Sequence, residues 1–295
     1  MSPGLRWHAG CLASGVLLAA AGPVAQPAPS DPLPPAAVVV ERTRDRLLHP
    51  VPGQERYLYT ETETSWTVAD DGTRTVDETK AFEIFADWSE GYRLLVAENG
   101  EPLSADRIEK QRREELHDIR RRRHERATET ESERRDRLDE AREQREDYEE
   151  FIDDAFGILE IEPVGREIID GHSTVMCRLT PRPGVEAKSD RGDVFGKIVG
   201  TVWLSEPAFD LVRLEIEVTE PISYAWGLGA RLREGASVVY EQRLVDGEFW
   251  LPARMHVQLE GRLLLLRALA IDRVSEYSGY ERVEEGEHPL ETALP

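Results

Sequence analysis

The side chains that most often carry out chemistry are scattered along this sequence. The seven histidines form no HExxH motif and no His/Cys group with the spacing of metal ligands. His117 and His124 share a predicted helix, but the arginines around them would repel a cation. No GxSxG motif for a nucleophilic serine occurs. We therefore expect no metal and no cofactor, and we predict that the protein is not an enzyme.

The remaining reactive residues also favour structural roles. Cys11 falls in a predicted signal peptide, which leaves one thiol and no intramolecular disulfide. Cys177 alternates with Val175 and Leu179 in a strand-like pattern, which favours a buried structural thiol over a nucleophile. Gly227-Leu228-Gly229 lacks the third glycine of a dinucleotide-binding loop. Acidic residues are so abundant that no particular pair can be selected as a general acid and base.

Two apolar segments lie where polar connections would be expected. Residues 223–232, SYAWGLGARL, are apolar and glycine-rich, and residues 263–266 are four consecutive leucines. Packing in the core is one explanation, and a hydrophobic pocket or its lid is the other. The second explanation makes the following residues candidates for contact with a hydrophobic ligand: Trp203, Trp226, Leu228, Met255, Val257, Leu263 and Leu265.

Charge is distributed unevenly along the chain. The formal net charge is −21, yet residues 104–148 hold 14 basic and 15 acidic side chains and are nearly neutral. The rest of the chain therefore carries almost all of the negative charge, and it should repel phosphate backbones. The four arginines at 120–123 are flanked by acidic residues, which indicates a solvated helix face. We expect no nucleic-acid partner.

The N-terminus resembles an export signal. Arg6 precedes a short apolar run at 11–21, and small residues and proline follow it. This pattern predicts a signal peptide over 1–25, with cleavage after Gly22 or Ala25, and a Pro/Ala linker over 26–35. The apolar run is too short to span a bilayer, and no longer one follows. We expect a periplasmic or secreted protein with no integral membrane span.

The regions on both sides of 104–148 predict an antiparallel sheet. Strands are predicted over 57–68, which is rich in Tyr, Thr and Trp, and over 92–98. Alternating patterns over 210–219 and 250–260 place apolar residues on one face and polar residues on the other. In 210–219 the predicted apolar face holds Val212, Leu214, Ile216 and Val218. Hairpin turns are predicted at Asn99-Gly100, Asp170-Gly171 and Asp246-Gly247, because such turns need residues that tolerate positive φ.

The charged segment predicts a long helical insertion over 104–155. Ser104 is a suitable N-cap, and Thr130 with Glu133 fits a capping box at a second helix start. Two antiparallel helices are therefore favoured over one continuous helix. No large aliphatic residue occurs from 120 to 137, and an apolar stripe resumes at Leu138. We expect both ends of the insertion to pack on the sheet and its middle to project into solvent.

Several segments together resemble a known family. They are GREIIDGHSTVMCRLTPRPG at 165–184, KIVGTVWL at 197–204, LVRLEIEV at 211–218, EPISYAWGLGARL at 220–232, Trp250-Leu251-Pro252 and YSGY at 277–280. In this order they resemble bacterial secreted proteins related to the outer-membrane lipoprotein-sorting (LolA/LolB-like) half-barrel family. The resemblance spans about 51–280. The long charged insertion departs from that family, and no motif transfers ligand-binding residues one by one.

The resemblance implies an α+β fold, namely a curved antiparallel β-sheet (half-barrel) with a long charged helical insertion. We expect a single domain over 36–280 and an acidic tail over 281–295. The implied function is non-catalytic binding of a hydrophobic ligand, such as a lipid or a lipoprotein acyl chain, in the half-barrel cavity. The alternative is an envelope interaction or scaffold protein whose partner binds the projecting helices at 104–155.

Overall fold

The structure is a computed structural model that describes residues 32–69, 73–87, 90–189, 191–224, 230–263 and 267–292. The chain from Leu33 onward forms one compact unit. The fold is α+β, as the sequence predicts. Its helices are α1 (Ala36–Leu48), α2 (Ala105–Thr128), α3 (Glu131–Ile158) and α4 (Pro289–Thr292), with a 3-10 helix at Gly192–Lys197. Its strands are β1 (Tyr57–Val68), β2 (Arg74–Phe85), β3 (Tyr92–Glu98), β4 (Glu101–Pro102), β5 (Leu159–Ile169), β6 (His172–Pro181), β7 (Ile198–Ser205), β8 (Leu211–Val218), β9 (Ile222–Tyr224), β10 (Ala230–Leu232), β11 (Ser237–Val245), β12 (Phe249–Leu263) and β13 (Arg267–Arg282).

All the strands belong to one open, curved antiparallel sheet. Its order is β4-β3-β2-β1-β13-β12-β11-β8-β7-β6-β5, and the short β9–β10 hairpin pairs with β12. Three predicted turns are confirmed, because Asn99, Asp170 and Asp246 and the glycine after each have positive φ. The sequence patterns did not predict β13, although it pairs β12 with β1 and so joins the two halves of the sheet.

The strand register assigns side chains to two faces, because directly paired antiparallel residues lie on the same face. One face, termed the cleft face, is traced across the sheet by the pairs Val202–Leu214, Leu214–Tyr240 and Tyr240–Met255. The other, termed the opposite face, bears Trp203 and its partner Arg213. The predicted grouping of Val212 with Leu214 is wrong. The β7–β8 register shifts beside Trp203, and Val212 packs with Trp203 and Trp250 on the opposite face.

Helices cover the two faces at different ends of the sheet. On the cleft face, α1 and the C-terminal part of α3 pack over β5–β8, where Val39 is fully buried in the largest hydrophobic cluster. On the opposite face, α2 and α4 pack over β2 and β3, with Leu116, Ile119 and Leu290 against Phe85 and Tyr92. The C-terminal tail therefore contributes Leu290 to the core.

The insertion forms two helices, as the capping signals predict. The Ser104 hydroxyl accepts a hydrogen bond from the Arg107 backbone N–H, and Thr130 and Glu133 form a reciprocal capping box at the start of α3. In the described structure α2 and α3 make no extended contact with each other. Every residue from 130 to 148 is exposed, and Leu138 retains 50% of its accessible surface. The predicted packing from Leu138 is therefore wrong, since burial on α3 begins only near Ile152.

Candidate functional site

A large cleft lies on the cleft face, between the sheet and two helices. Its walls come from the end of α1 and the loop after it, from α3, and from β1, β11 and β12. The cleft has a volume of about 990 Å³. Most of its lining is apolar or aromatic, including Leu47, Leu48, Pro50, Val51, Pro52, Tyr57, Tyr59, Tyr148, Phe209, Leu211, Tyr240, Phe249, Leu251 and Pro252.

Polar contacts hold α1 as one wall of this cleft. Arg44 Nε donates to Asp153 of α3 at 2.8 Å, and Arg46 Nε donates to Asp210 at 2.7 Å. The Tyr148 hydroxyl donates to the Leu47 carbonyl at 3.3 Å, so α3 also contacts the end of α1. These contacts join the two helices to each other and α1 to the β7–β8 connection. The cleft is thus bounded by fixed elements.

Tyrosines dominate the sheet side of the cleft. The Tyr59 ring centroid lies 4.9 Å from that of Tyr280 and 6.1 Å from that of Tyr277. The Tyr57 hydroxyl donates to Asp246 Oδ2 at 2.9 Å, and the Tyr280 hydroxyl donates to the Pro252 carbonyl. These contacts fix the orientation of Tyr57 and Tyr280 beside Tyr59.

Burial raises the pKa of the cleft tyrosines. It raises the pKa of Tyr59 to about 12, and the nearby Glu61 carboxylate adds to the effect. Burial also raises the pKa of Tyr57 to about 12, with a further contribution from its hydrogen bond to Asp246. The pKa of Tyr240 is raised by burial as well. At neutral pH these phenols are uncharged hydroxyl groups.

Glu61, a carboxylate next to the tyrosines, is paired with an arginine. Glu61 is only 7% exposed on the cleft face, and it accepts a hydrogen bond from Arg93 Nε at 2.9 Å. The Arg93 guanidinium also lies 3.3 Å from the centre of the Phe82 ring. The pair removes the cost of an isolated buried carboxylate.

The structure separates the residues that the sequence grouped as ligand candidates. Met255 and Val257 lie on the cleft face, where Met255 pairs with Tyr240 of the cleft lining. Trp203 lies on the opposite face, 7% exposed, with its indole N–H donating to Glu167 at 2.7 Å. Strand alternation explains the separation, because Trp203 follows Val202 of the cleft face in β7.

The other four candidates belong to the two apolar segments. Trp226, Leu228 and Leu265 lie outside the described residues, and only the backbone of Leu263, at the end of β12, is described. Tyr59 and Tyr240 were not predicted as site residues. Tyr59 lies in a strand rich in Tyr and Thr, but Tyr240 is the single tyrosine of β11. The two residues are 181 positions apart, and no local pattern brings them together.

The described residues offer little support for other chemistry. No group of three His, Cys, Asp or Glu side chains among them could hold a metal ion. Cys177 is fully buried, and burial raises the pKa of its thiol to about 12, which suppresses the nucleophilic thiolate. In the same part of the chain no helix is both long and apolar enough to cross a membrane.

Comparisons with known proteins found solved structures that are similar to this chain. No protein-family model and no curated protein matches the sequence. A LolA superfamily protein from Nitrosomonas europaea is similar, at 10% identity and a TM-score of 0.33, over 84% of this chain and 94% of that protein. A DUF1329 family protein from Desulfovibrio piger is 12% identical with a TM-score of 0.33, over 87% and 96% of the two chains.

A third similar structure is the Pseudomonas aeruginosa MucA/MucB complex, in which the matched chain is 9% identical with a TM-score of 0.21. That match covers 82% of this chain and 94% of the other. The fold of this chain is established by its own strand order and register.

Proposed function

We propose that this protein is an exported, non-catalytic binding protein that holds a hydrophobic ligand, such as a lipid or a lipoprotein acyl chain, in the cleft. The supporting observation is the cleft itself, with a volume of about 990 Å³ and a mainly apolar and aromatic lining. Ligand cavities in proteins are commonly of this size and character. Burial of an acyl chain contributes about 0.8 kcal/mol per CH₂ group, so binding requires no catalytic residue.

Export is part of the proposal. The N-terminal pattern over 1–25, with cleavage after Gly22 or Ala25, would deliver the mature chain to the periplasm or outside the cell. In this proposal residues 26–35 are a linker and residues 36–280 are the binding domain. N-terminal sequencing of the protein purified from the envelope fraction tests this part, and an intact Met1 would contradict it.

Lipid extraction and native mass spectrometry of the protein purified from its own envelope test the ligand. We expect a co-purifying lipid, and we expect the purified protein to bind the apolar dye N-phenyl-1-naphthylamine. Leu48→Lys places a charge in the cleft lining and should abolish dye binding. Leu138→Lys is the matched control, because Leu138 is half exposed on α3 and does not line the cleft. If the wild-type protein bound neither a lipid nor the dye, the proposal would be refuted.

We also propose, as a second candidate function, that α3 binds a partner in the envelope. Asp136, Glu140, Glu143 and Asp147 follow one another at steps of four and three, which places their carboxylates on one face of the exposed part of α3. Reversal of all four to Lys should abolish capture of the partner and leave dye binding unchanged. Unchanged capture would exclude this face. Reversal of Arg134 and Arg142 to Glu provides the control on the other side of the helix.

A further inference from the structure

One side of the exposed part of α3 carries acidic residues that have no ion-pair partner among the described residues. We term it the acidic face, and it consists of Asp136, Glu140, Glu143 and Asp147. Acidic residues elsewhere on this helix are paired, since Asp139 and Glu146 both contact Arg142. Glu149 likewise pairs with Arg145. Like charges at steps of three and four destabilise a helix, and on the acidic face no local pair offsets that cost.

α2 presents a face of the opposite charge. Its residues follow one another at steps of three and four, are all exposed, and are termed the basic face: Lys110, Arg113, His117, Arg120 and His124. Lys110 Nζ lies 3.7 Å from Glu114, and the Lys110 side chain retains 71% of its accessible surface. Arg120 Nε lies 4.0 Å from Glu291, and the Arg120 side chain retains 64%. Exposed pairs of this kind are weak, so these cations are available to a further carboxylate.

The acidic face and the basic face do not pair with each other within one chain. Leu116 and Ile119 hold α2 over β2 and β3, on the opposite face of the sheet. The C-terminal part of α3, which includes the buried Ile152, packs on the cleft face. The structure describes both helices in full, and no hydrogen bond or ion pair joins them. Both faces can therefore contact another molecule.

A second copy of this chain supplies both complementary faces. When a twofold axis relates two copies, α3 of each can lie against α2 of the other, and the same contact forms twice. At 1.5 Å per residue, the acidic face from 136 to 147 is about 17 Å long and the basic face from 110 to 124 about 21 Å, so their lengths match. The remainder of each copy is negative. At about 0.15 M salt the Debye length is about 8 Å, so distant repulsion is screened more than pairs in contact.

We propose that this protein forms a twofold dimer in which the acidic face of α3 in each copy binds the basic face of α2 in the other. This inference rests on the second candidate function, in which α3 binds a partner, and it identifies the partner as a second copy of this chain. Leu138 lies on the other side of α3, outside this contact. The cleft is outside it as well.

Sedimentation velocity of the purified protein tests the dimer. At about 100 μM protein and about 0.1 M NaCl we expect a dimer to be the main species. Because the contact joins exposed charges, about 0.5 M NaCl should raise the dissociation constant of the dimer at least about tenfold.

Two charge-reversed variants identify the contacting surfaces. The acidic-face variant carries four substitutions: Asp136→Lys, Glu140→Lys, Glu143→Lys and Asp147→Lys. The basic-face variant carries three: Lys110→Glu, Arg113→Glu and Arg120→Glu. Each variant alone should be monomeric, because like charges then meet across the contact. An equal mixture should form a heterodimer, because both of its contacts again join opposite charges.

Recovery of the dimer on mixing also controls for folding, since an unfolded variant would not be rescued by its partner. Arg134→Glu with Arg142→Glu is the matched control on the other side of α3. We expect its dimer dissociation constant to stay within about threefold of the wild-type value. Binding of N-phenyl-1-naphthylamine in the cleft should be unchanged in all three variants.

The possible results separate this inference from the functions proposed above. A wild-type protein that remains monomeric would refute the dimer, and so would a dimer that persists in both charge-reversed variants. A mixture of the two variants that remains monomeric would also contradict it. If the wild type is monomeric but the acidic-face variant loses an envelope partner, the second candidate function stands and the partner named here is wrong.

Discussion

The two helices of the insertion are both highly charged, yet they relate to the sheet in different ways. α2 buries Leu116 and Ile119, at 3% and 0% exposure, against β2 and β3. α3 has no buried residue before Ile152, and all of its residues through 148 are exposed. The composition of the two helices therefore does not determine whether they pack on the sheet.

The spacing of a few apolar residues accounts for the difference. Leu116 and Ile119 are three positions apart, so they share one face of α2 and meet Phe85 and Tyr92 together. Leu138 on α3 has an apolar neighbour only in Ala141, and nothing in the described structure covers them. α2 thus packs on the sheet as part of the fold, whereas the exposed part of α3 faces solvent.

The largest effect is expected from Ile119→Ala, which removes the best-buried contact of α2. Large-to-small substitutions at fully buried positions cost about 2–5 kcal/mol in the free energy of unfolding. We expect a loss in this range, measured by urea denaturation followed by circular dichroism. A loss below about 0.5 kcal/mol would show that α2 does not stabilise the sheet.

Leu138→Ala is the matched test on α3. Because Leu138 is 50% exposed and its helix face is uncovered, we expect a change within about 0.5 kcal/mol in the free energy of unfolding. A loss as large as that of Ile119→Ala would mean that another protein surface packs on Leu138 in solution. If that loss depended on protein concentration, the surface would belong to a second copy of this protein.

The next effect concerns the C-terminal part of α3, where Asp154 binds Lys188 and Ser189 of the segment after β6. Its carboxylate, 3% exposed, accepts hydrogen bonds from the Lys188 N–H at 2.9 Å, the Ser189 N–H at 2.8 Å and the Ser189 hydroxyl at 2.7 Å. Asp154→Ala leaves these buried donors without an acceptor, which should cost about 1–3 kcal/mol in the free energy of unfolding. Ser189→Ala removes one of the three bonds and should cost less.

The same carboxyl predicts a pH dependence. Burial alone would raise the pKa of Asp154, but the hydrogen bonds from Lys188 and Ser189 outweigh it, and the pKa lies below its ordinary value. Its stabilising contribution is therefore complete above the unfolded pKa of about 3.9 and is lost as the pH falls through the folded pKa. The difference in unfolding free energy between the wild type and Asp154→Asn should shrink below about pH 4. A constant difference down to pH 2 would contradict this.

Local signals in the sequence predicted the local structure well. The bounds of β1 and β3 match the strands predicted at 57–68 and 92–98, and the three turns with glycine have the expected positive φ. The caps at Ser104 and Thr130 are also as predicted. Each of these features depends on a few adjacent residues, whose backbone preferences are intrinsic.

Features that depend on distant residues were not predicted. β13 has polar residues at buried positions, such as Asp272 and Ser275, because it is paired on both sides at the centre of the sheet. Tyr59 and Tyr240 approach each other only because β13 and β12 connect β1 to β11. The face of Val212 depends on a register shift that a regular alternation does not reveal.

A smaller effect is expected from Arg123→Ala at the end of α2. Arg123 Nε donates to Glu90 at 2.7 Å and Nη1 donates to Glu291 of α4 at 2.9 Å, joining α2 to the β2–β3 connection and the C-terminus. Because this side chain is 39% exposed, we expect a loss of only about 1 kcal/mol in the free energy of unfolding. Arg142→Ala on the exposed part of α3 should cost less than about 0.5 kcal/mol.

The smallest global effect is expected from Thr130→Ala, which removes the capping box of α3. Loss of an N-cap costs about 1 kcal/mol of helix stability. Residues 131–135 of the capped turn are all exposed, so the cost should stay local. We expect faster hydrogen exchange at the backbone amides of 131–135 and an unchanged melting temperature. Ser104→Ala removes the N-cap of α2, the helix that packs on the sheet, and it should lower the melting temperature. Equal global losses from the two substitutions would show that α2 and α3 unfold as one unit, and the distinction between a structural and a surface helix would then fail.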